Sequence, residues 1–228
     1  GTLERRFNES FKVVGDQLEA VYKGLGEMKN LATGVGDLKN VLTNVKVRGT
    51  WAEYQLEAIL QQILTPDQYE RNVATKSDSS DHVEFAIRLP GPSNSPESPV
   101  WLPIDAKFPQ EDYIRLMEAS RSGDVEGVEQ STKELIRSVT ASAKTITEKY
   151  VDPPHTTDFA VMYLPTEGLY AEVVRQPGLI EEFQTKYRVT VAGPTTMAAL
   201  LNSLRLGFRT LVIEQRASEV WQGLASVK

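Results

Sequence analysis

The sequence predicts an α/β domain that follows a long coiled-coil helix. Three patterns carry that prediction. Apolar residues alternate with other types across 82–89 and 100–107, as along strands with one buried face. Helically periodic stretches separate these from further strand-like runs at 159–164 and 188–192, so strands and helices interleave and a layered domain follows. Upstream, apolar residues fall at 3, 7, 11, 14, 18, 21, 25, 28, 31, 35, 38, 42 and 45, an almost unbroken alternation of threes and fours. This is a heptad seam sustained for about six repeats, and so narrow a stripe needs a partner helix.

The elements follow in chain order. Residues 1–47 form the helical arm, expected to join copies of the chain into a homo-oligomer; its glycines at 15, 24, 26, 34 and 36 favour bending or fraying over 24–36. Arg48-Gly49-Thr50 reads as a break and opens the globular domain, 48–228. Trp51–Leu64 follows as an amphipathic helix with Leu56, Ile59, Leu60 and Ile63 inward, Thr50 as N-cap and Glu53 in capping-box position. Residues 65–81 are polar and rich in turn formers. In the strand 82–89, Val83, Phe85, Ile87 and Leu89 share one face and Glu84 takes the other. Pro90, Pro92, Pro96 and Pro99 then predict a long hairpin tip before the strand 100–107. Helices are predicted over 113–117 and 125–150, the second striped with Leu135, Ile136, Val139, Ala143, Ile146 and Tyr150 and stopped by Asp152-Pro153-Pro154. A buried strand at 159–164, helices at 169–174 and 178–187 and a strand at 188–192 follow. Pro194 and Thr195 open a last helix.

Composition narrows the chemistry. With 40% apolar and 25% charged residues, the 228-residue chain is ordinary for a globular protein. It has no cysteine, which excludes disulfides and thiolate chemistry, and two histidines, which disfavour zinc. Any metal would be held by oxygen ligands, favouring magnesium or manganese. No apolar run of about 18 residues occurs, so no membrane contact is expected within this stretch. The abrupt start at Gly1 and end at Lys228 read as cuts within a longer protein. A net charge of −6 disfavours a general nucleic-acid binder without excluding a nuclease, whose carboxylates gather around cations.

The most informative segment is Ile104-Asp105-Ala106-Lys107. Residues two apart on a strand share a face, so Asp105 and Lys107 point the same way. A carboxylate can hold a divalent cation, and an ammonium beside it can position an attacking water. Glu84, on the neighbouring hairpin strand, can converge with Asp105 on one cation. Glu53 or Glu57, four apart on one helical face, could reach the same place.

Several separated segments resemble one family. Arg48-Gly49-Thr50-Trp51-Ala52-Glu53, followed by Leu56 and Leu60, looks like its G-x-W-G-E helix start with alanine for the usual glycine. Val83-Glu84-Phe85-Ala86-Ile87-Arg88-Leu89-Pro90 looks like its first acidic strand, where many members carry Pro-Asp. Ile104-Asp105-Ala106-Lys107 looks like its I-D-A-K segment, and Met162-Tyr163-Leu164-Pro165-Thr166-Glu167 and Gly193-Pro194-Thr195-Thr196 like two further blocks. The chain thus resembles the RmuC family of DNA recombination proteins, whose domain is similar to the restriction-endonuclease-like PD-(D/E)xK fold.

That resemblance implies a magnesium- or manganese-dependent deoxyribonuclease with DNA as partner. Glu84, Asp105 and Glu53 would be the metal ligands, and Lys107 would position the water. Glu53 is the preferred helical glutamate, with a capping-box role as its rival and Glu57 in reserve; Asp81 competes with Glu84 as first ligand. Glu167 reads as a helix-start carboxylate near the site. Thr195 and Thr196 read either as an N-cap or as phosphate donors. Lys133, Arg137 and Lys144, like Arg205, Arg209 and Arg216, recur at helical spacing, as a solvated face or a DNA stripe would. A catalytically inactive DNA-binding scaffold is the alternative. The expected location is the cytoplasm, with a membrane anchor ahead of residue 1 left open.

Overall fold

A computed structural model describes residues 45–91 and 99–208. The chain divides into two units, 1–48 and 49–228. The heptad seam over 1–44 and the proline-rich hairpin tip at 92–98 lie outside the described residues.

The second unit is a mixed five-stranded sheet with helices between its strands. The strands are β1 (Tyr69–Val73), β2 (Val83–Leu89), β3 (Val100–Ala106), β4 (Ala160–Tyr163) and β5 (Val189–Ala192), paired in that order. The first three form an antiparallel meander, whereas β3, β4 and β5 run parallel. Parallel neighbours need crossovers, and helices supply them. Between β3 and β4 lie α2 (Gln110–Ser122) and α3 (Val125–Tyr150), and between β4 and β5 lie α4 (Glu167–Val174) and α5 (Leu179–Thr185). The helix α1 (Val45–Ile63) precedes the sheet, and α6 (194–208) follows it.

Helix boundaries have local causes. Asp124 caps α3, its carboxylate accepting from the Gly127 amide at 2.9 Å. Thr166 caps α4 through the Leu169 amide at 3.1 Å. Gly123 ends α2 with φ of 69°, where a side chain would be strained.

Each sheet face carries its own core. On one, Ala160, Met162, Leu164, Val189 and Val191 pack with Leu116, Leu135, Val139, Ala143 and Ile146 from α2 and α3. Asp105 pairs with Met162 and therefore shares this face. On the other, Phe85, Ile87, Leu102, Ile104, Val161 and Tyr163 are fully or almost fully buried. There the Tyr163 hydroxyl donates to Gln55 Oε1 of α1 at 2.8 Å.

The structure corrects the sequence reading in several places. The expected break at Arg48-Gly49-Thr50 is absent, because α1 begins at Val45 and runs through all three residues. Thr50 is therefore not an N-cap, and Glu53 is not a capping-box residue. Residues 65–81, read as turns, contain β1, an edge strand whose Glu70, Arg71 and Asn72 are exposed. The helix expected over 113–117 extends over Gln110–Ser122. Lys107 lies one residue beyond β3, though its amide continues the ladder to the Tyr163 carbonyl at 2.9 Å.

Candidate functional site

The parallel strands β3, β4 and β5 deliver Lys107, Glu167 and Thr195 just beyond their carboxyl ends, where open α/β sheets usually place their ligands. Because β2 is antiparallel to β3, its amino end lies at the same edge. Phe85 pairs with Ile104, and that register, continued by one residue, sets Glu84 opposite Asp105.

The two carboxylates are tied together through the backbone. Glu84 Oε2 accepts a hydrogen bond from the Ala106 amide at 2.7 Å, fixing the β2 glutamate to the strand that carries Asp105. The side chain of Asp105 is 1% exposed. Its Oδ2 meets the Lys107 ammonium at 2.6 Å rather than any backbone amide. The i, i+2 spacing thus produces the shared face expected of it.

Electrostatics mark the pair as strained in charge. Burial pushes the Glu84 carboxyl up to about 7, and the charge of Asp105 adds to the effect against the Ala106 hydrogen bond and Lys107. Asp105 is also raised, because burial outweighs the attraction of Lys107. The charge of Glu53 acts on both in the raising direction, so α1 brings that residue into electrostatic range. Among the described residues, no three acidic or histidine groups are gathered to hold a metal ion. Glu84 and Asp105 are therefore brought together, while Glu53 completes no three-residue cage.

A divalent cation fits what the pair offers. Two adjacent carboxylates, Asp105 buried and Glu84 partly so and both resisting ionisation, present oxygen atoms whose repulsion a cation would relieve. Magnesium commonly takes only one or two carboxylates and keeps waters and substrate phosphates for the rest.

The other candidates are engaged elsewhere. Glu57 pairs with Arg71 of β1 at 2.9 Å. Asp81 pairs with Lys149 at 2.8 Å and accepts from Ser79 Oγ at 3.1 Å. Glu167 accepts from the Thr195 amide at 2.6 Å, so a carboxylate from another helix fills the anion position at the start of α6, where Thr195 and Thr196 read either as an N-cap or as phosphate donors. Lys133 and Lys144 pair with Glu129 and Glu148 one turn away on an exposed face of α3; Arg209 and Arg216 lie outside the described residues. Trp51 packs on Phe108 with ring centroids 5.8 Å apart, so the tryptophan of the α1 motif braces the loop that follows Lys107.

Two neighbours of the pair went unnoticed in the sequence. Tyr150, at the end of α3, is pushed up to about 12 by burial and by the charges of Asp105, Glu84 and Asp81. Lys149 acts on Asp105 in the opposite sense. Both read locally as the end of an amphipathic helix, and only the fold brings them here.

The family model of RmuC matches residues 1–228, the whole chain. The chain belongs to the RmuC family. Among its RmuC relatives, a protein of Xylella fastidiosa strain Temecula1 named DNA recombination protein RmuC homolog is 60% identical over 227 residues, covering all of this chain and 50% of that protein. A Chlamydia muridarum protein of the same name is 26% identical over 178 residues, covering 77% of this chain and 38% of the relative. The chain thus spans at most about half the length of these curated relatives. No solved structure matches it. No helix among the described residues is long and apolar enough to cross a membrane.

Proposed function

We propose that this chain holds a metal-dependent deoxyribonuclease domain of the PD-(D/E)xK type, acting in DNA recombination and joined to a coiled-coil oligomerisation helix over 1–47. The observation that carries the reading is the convergence of Glu84 and Asp105 from adjacent strands with Lys107 on the same face. Relatives named as DNA recombination proteins support DNA as substrate, and with it a cytoplasmic place of action.

Glu84 and Asp105 would hold a magnesium or manganese ion, with Glu53 approaching from α1. When bound, that ion supplies Lewis-acid polarisation of the scissile phosphate and stabilises the charge that develops on it. Lys107, partly exposed at the rim, orients a water for attack in line with the departing oxygen. Burial of Asp105 keeps the site's electrostatics strong by excluding competing water.

The test is cleavage of labelled linear, single-stranded and branched DNA in magnesium or manganese by the protein, Asp105→Ala and Lys107→Ala. Metal-dependent cutting lost in both variants supports the nuclease. DNA binding without cutting in all three would move the reading to a DNA-binding scaffold built on a nuclease-like fold.

A further inference from the structure

A second lysine lies within electrostatic reach of Asp105 and has no task in the proposed hydrolysis. Lys149 occupies the last turn of α3, and its Nζ meets Asp81 Oδ1 at 2.8 Å. Asp81 lies three residues ahead of Glu84 at the entry to β2. The field of Lys149 reaches Asp105, as that of Lys107 does.

The position of this lysine is built rather than incidental. Thr75, 4% exposed, donates its hydroxyl to the Tyr150 carbonyl at 2.9 Å. The Lys76 ammonium donates to the Glu148 carbonyl at 2.6 Å. These are carbonyls that a helix leaves open at its carboxyl end, and here they strap the segment between β1 and β2 to α3. Tyr150 packs against Val73, Val83 and Ala86, closing the same seam from the apolar side. The backbone on either side of Lys149 is thereby fixed relative to the strand that carries Glu84.

The ion pair with Asp81 is, by contrast, easily exchanged. Its two side chains are 42% and 40% exposed, and pairs so open to solvent contribute little. Lys107 is already committed to Asp105, so a nucleic-acid strand entering here meets more carboxylate than ammonium. Lys149 is a nearby cation that can release its partner at small cost.

We propose that Lys149 is a second phosphate contact of this site, exchanging Asp81 for a backbone phosphate that flanks the scissile one, which a cation held by Glu84 and Asp105 would polarise. This rests on the reading of DNA as substrate. The experiment is fluorescence anisotropy of labelled single-stranded and duplex oligonucleotides with the full chain in calcium, across a salt series. It compares the unaltered protein with Lys149→Ala, Asp81→Asn and, as a control further along α3, Lys133→Ala.

Lys149→Ala should weaken binding about fivefold and reduce the slope of log affinity against log salt by about one. Asp81→Asn should bind as tightly or more tightly, and Lys133→Ala should match the unaltered protein. Binding and slope unchanged in Lys149→Ala would overturn the lysine's role alone. Equal weakening in Lys149→Ala and Asp81→Asn with an unchanged slope would reduce the pair to a structural brace, overturning it too. An unaltered protein that binds neither DNA at low salt would overturn both this inference and the reading it rests on.

Discussion

Glu84 and Asp105 face each other across the β2–β3 hairpin, and the Ala106 amide, 2.7 Å from Glu84 Oε2, holds one carboxylate to the strand of the other. Burial makes both resist ionisation, and the charge of Asp105 makes Glu84 harder still to ionise.

The metal-free protein should lose stability as pH rises from about 5 to about 8. Glu84 has its folded-state pKa raised from 4.5 to about 7, so the folded form holds the proton more tightly than the unfolded form does. The resulting stabilisation is fully present below the unfolded value and is lost as pH passes through the folded one. A shift of this size corresponds to at most about 3 kcal/mol. Urea unfolding in a chelator at both pH values measures it, and Glu84→Gln should flatten the dependence.

Divalent cation should reverse that loss. At pH 8, magnesium or manganese should raise the melting temperature of the unaltered protein, because a ligand bound only by the folded form stabilises it by mass action. Asp105→Asn combined with Glu84→Gln should abolish the rise. A rise that persisted in the double variant would place the cation elsewhere.

Removing the ammonium should cost stability as well as any activity. Lys107→Ala leaves Asp105 with its Oδ2 buried and without its directly paired counter-charge. The expected destabilisation is about 1–3 kcal/mol at pH 8, below the figure for a fully buried pair because Lys107 is 34% exposed. It should shrink at pH 5, where Asp105 takes up a proton more readily. Thermal unfolding at the two pH values separates these outcomes.

Gly193→Ala should disturb the start of α6. A Cβ there would lie 2.9 Å from Tyr170 Cγ and 3.1 Å from Glu167 Oε2. The ring and the carboxylate that accepts from the Thr195 amide would both have to move, at a cost of about 1–3 kcal/mol. Glu167→Ala should cost about 1 kcal/mol by uncapping the helix. Denaturant midpoints check both.

The carboxylate pair and its lysine were legible in the sequence because their geometry is local. Alternation fixed the faces of β2 and β3, and a hairpin brings neighbouring strands together. β1 was not legible, since an edge strand with Glu70, Arg71 and Asn72 exposed lacks the buried alternation that reveals a strand. Gly49-Thr50 imitates a helix start, yet α1 passes through it, so tertiary context overrides a capping signal. Glu167 was assigned to its own helix, whereas its hydrogen-bond partner lies 28 residues further on. Lys149 reaches Asp81 across 68 residues, a pairing that no spacing rule predicts.

The strap between Thr75 and Tyr150 has a consequence for the order of folding. The acidic pair belongs to a hairpin, whose strands are joined through residues 90–99 and so meet by a closure far shorter than a crossover demands. Docking the end of α3 onto the β1–β2 segment joins residues 75 positions apart and demands a much longer loop closure. The carboxylates therefore meet in early hairpin structure, and Lys149 joins them only when the crossover settles. Amide exchange should accordingly find the Thr75–Tyr150 seam opening before the β2–β3 ladder, leaving an acidic hairpin intact after its distant lysine has swung away.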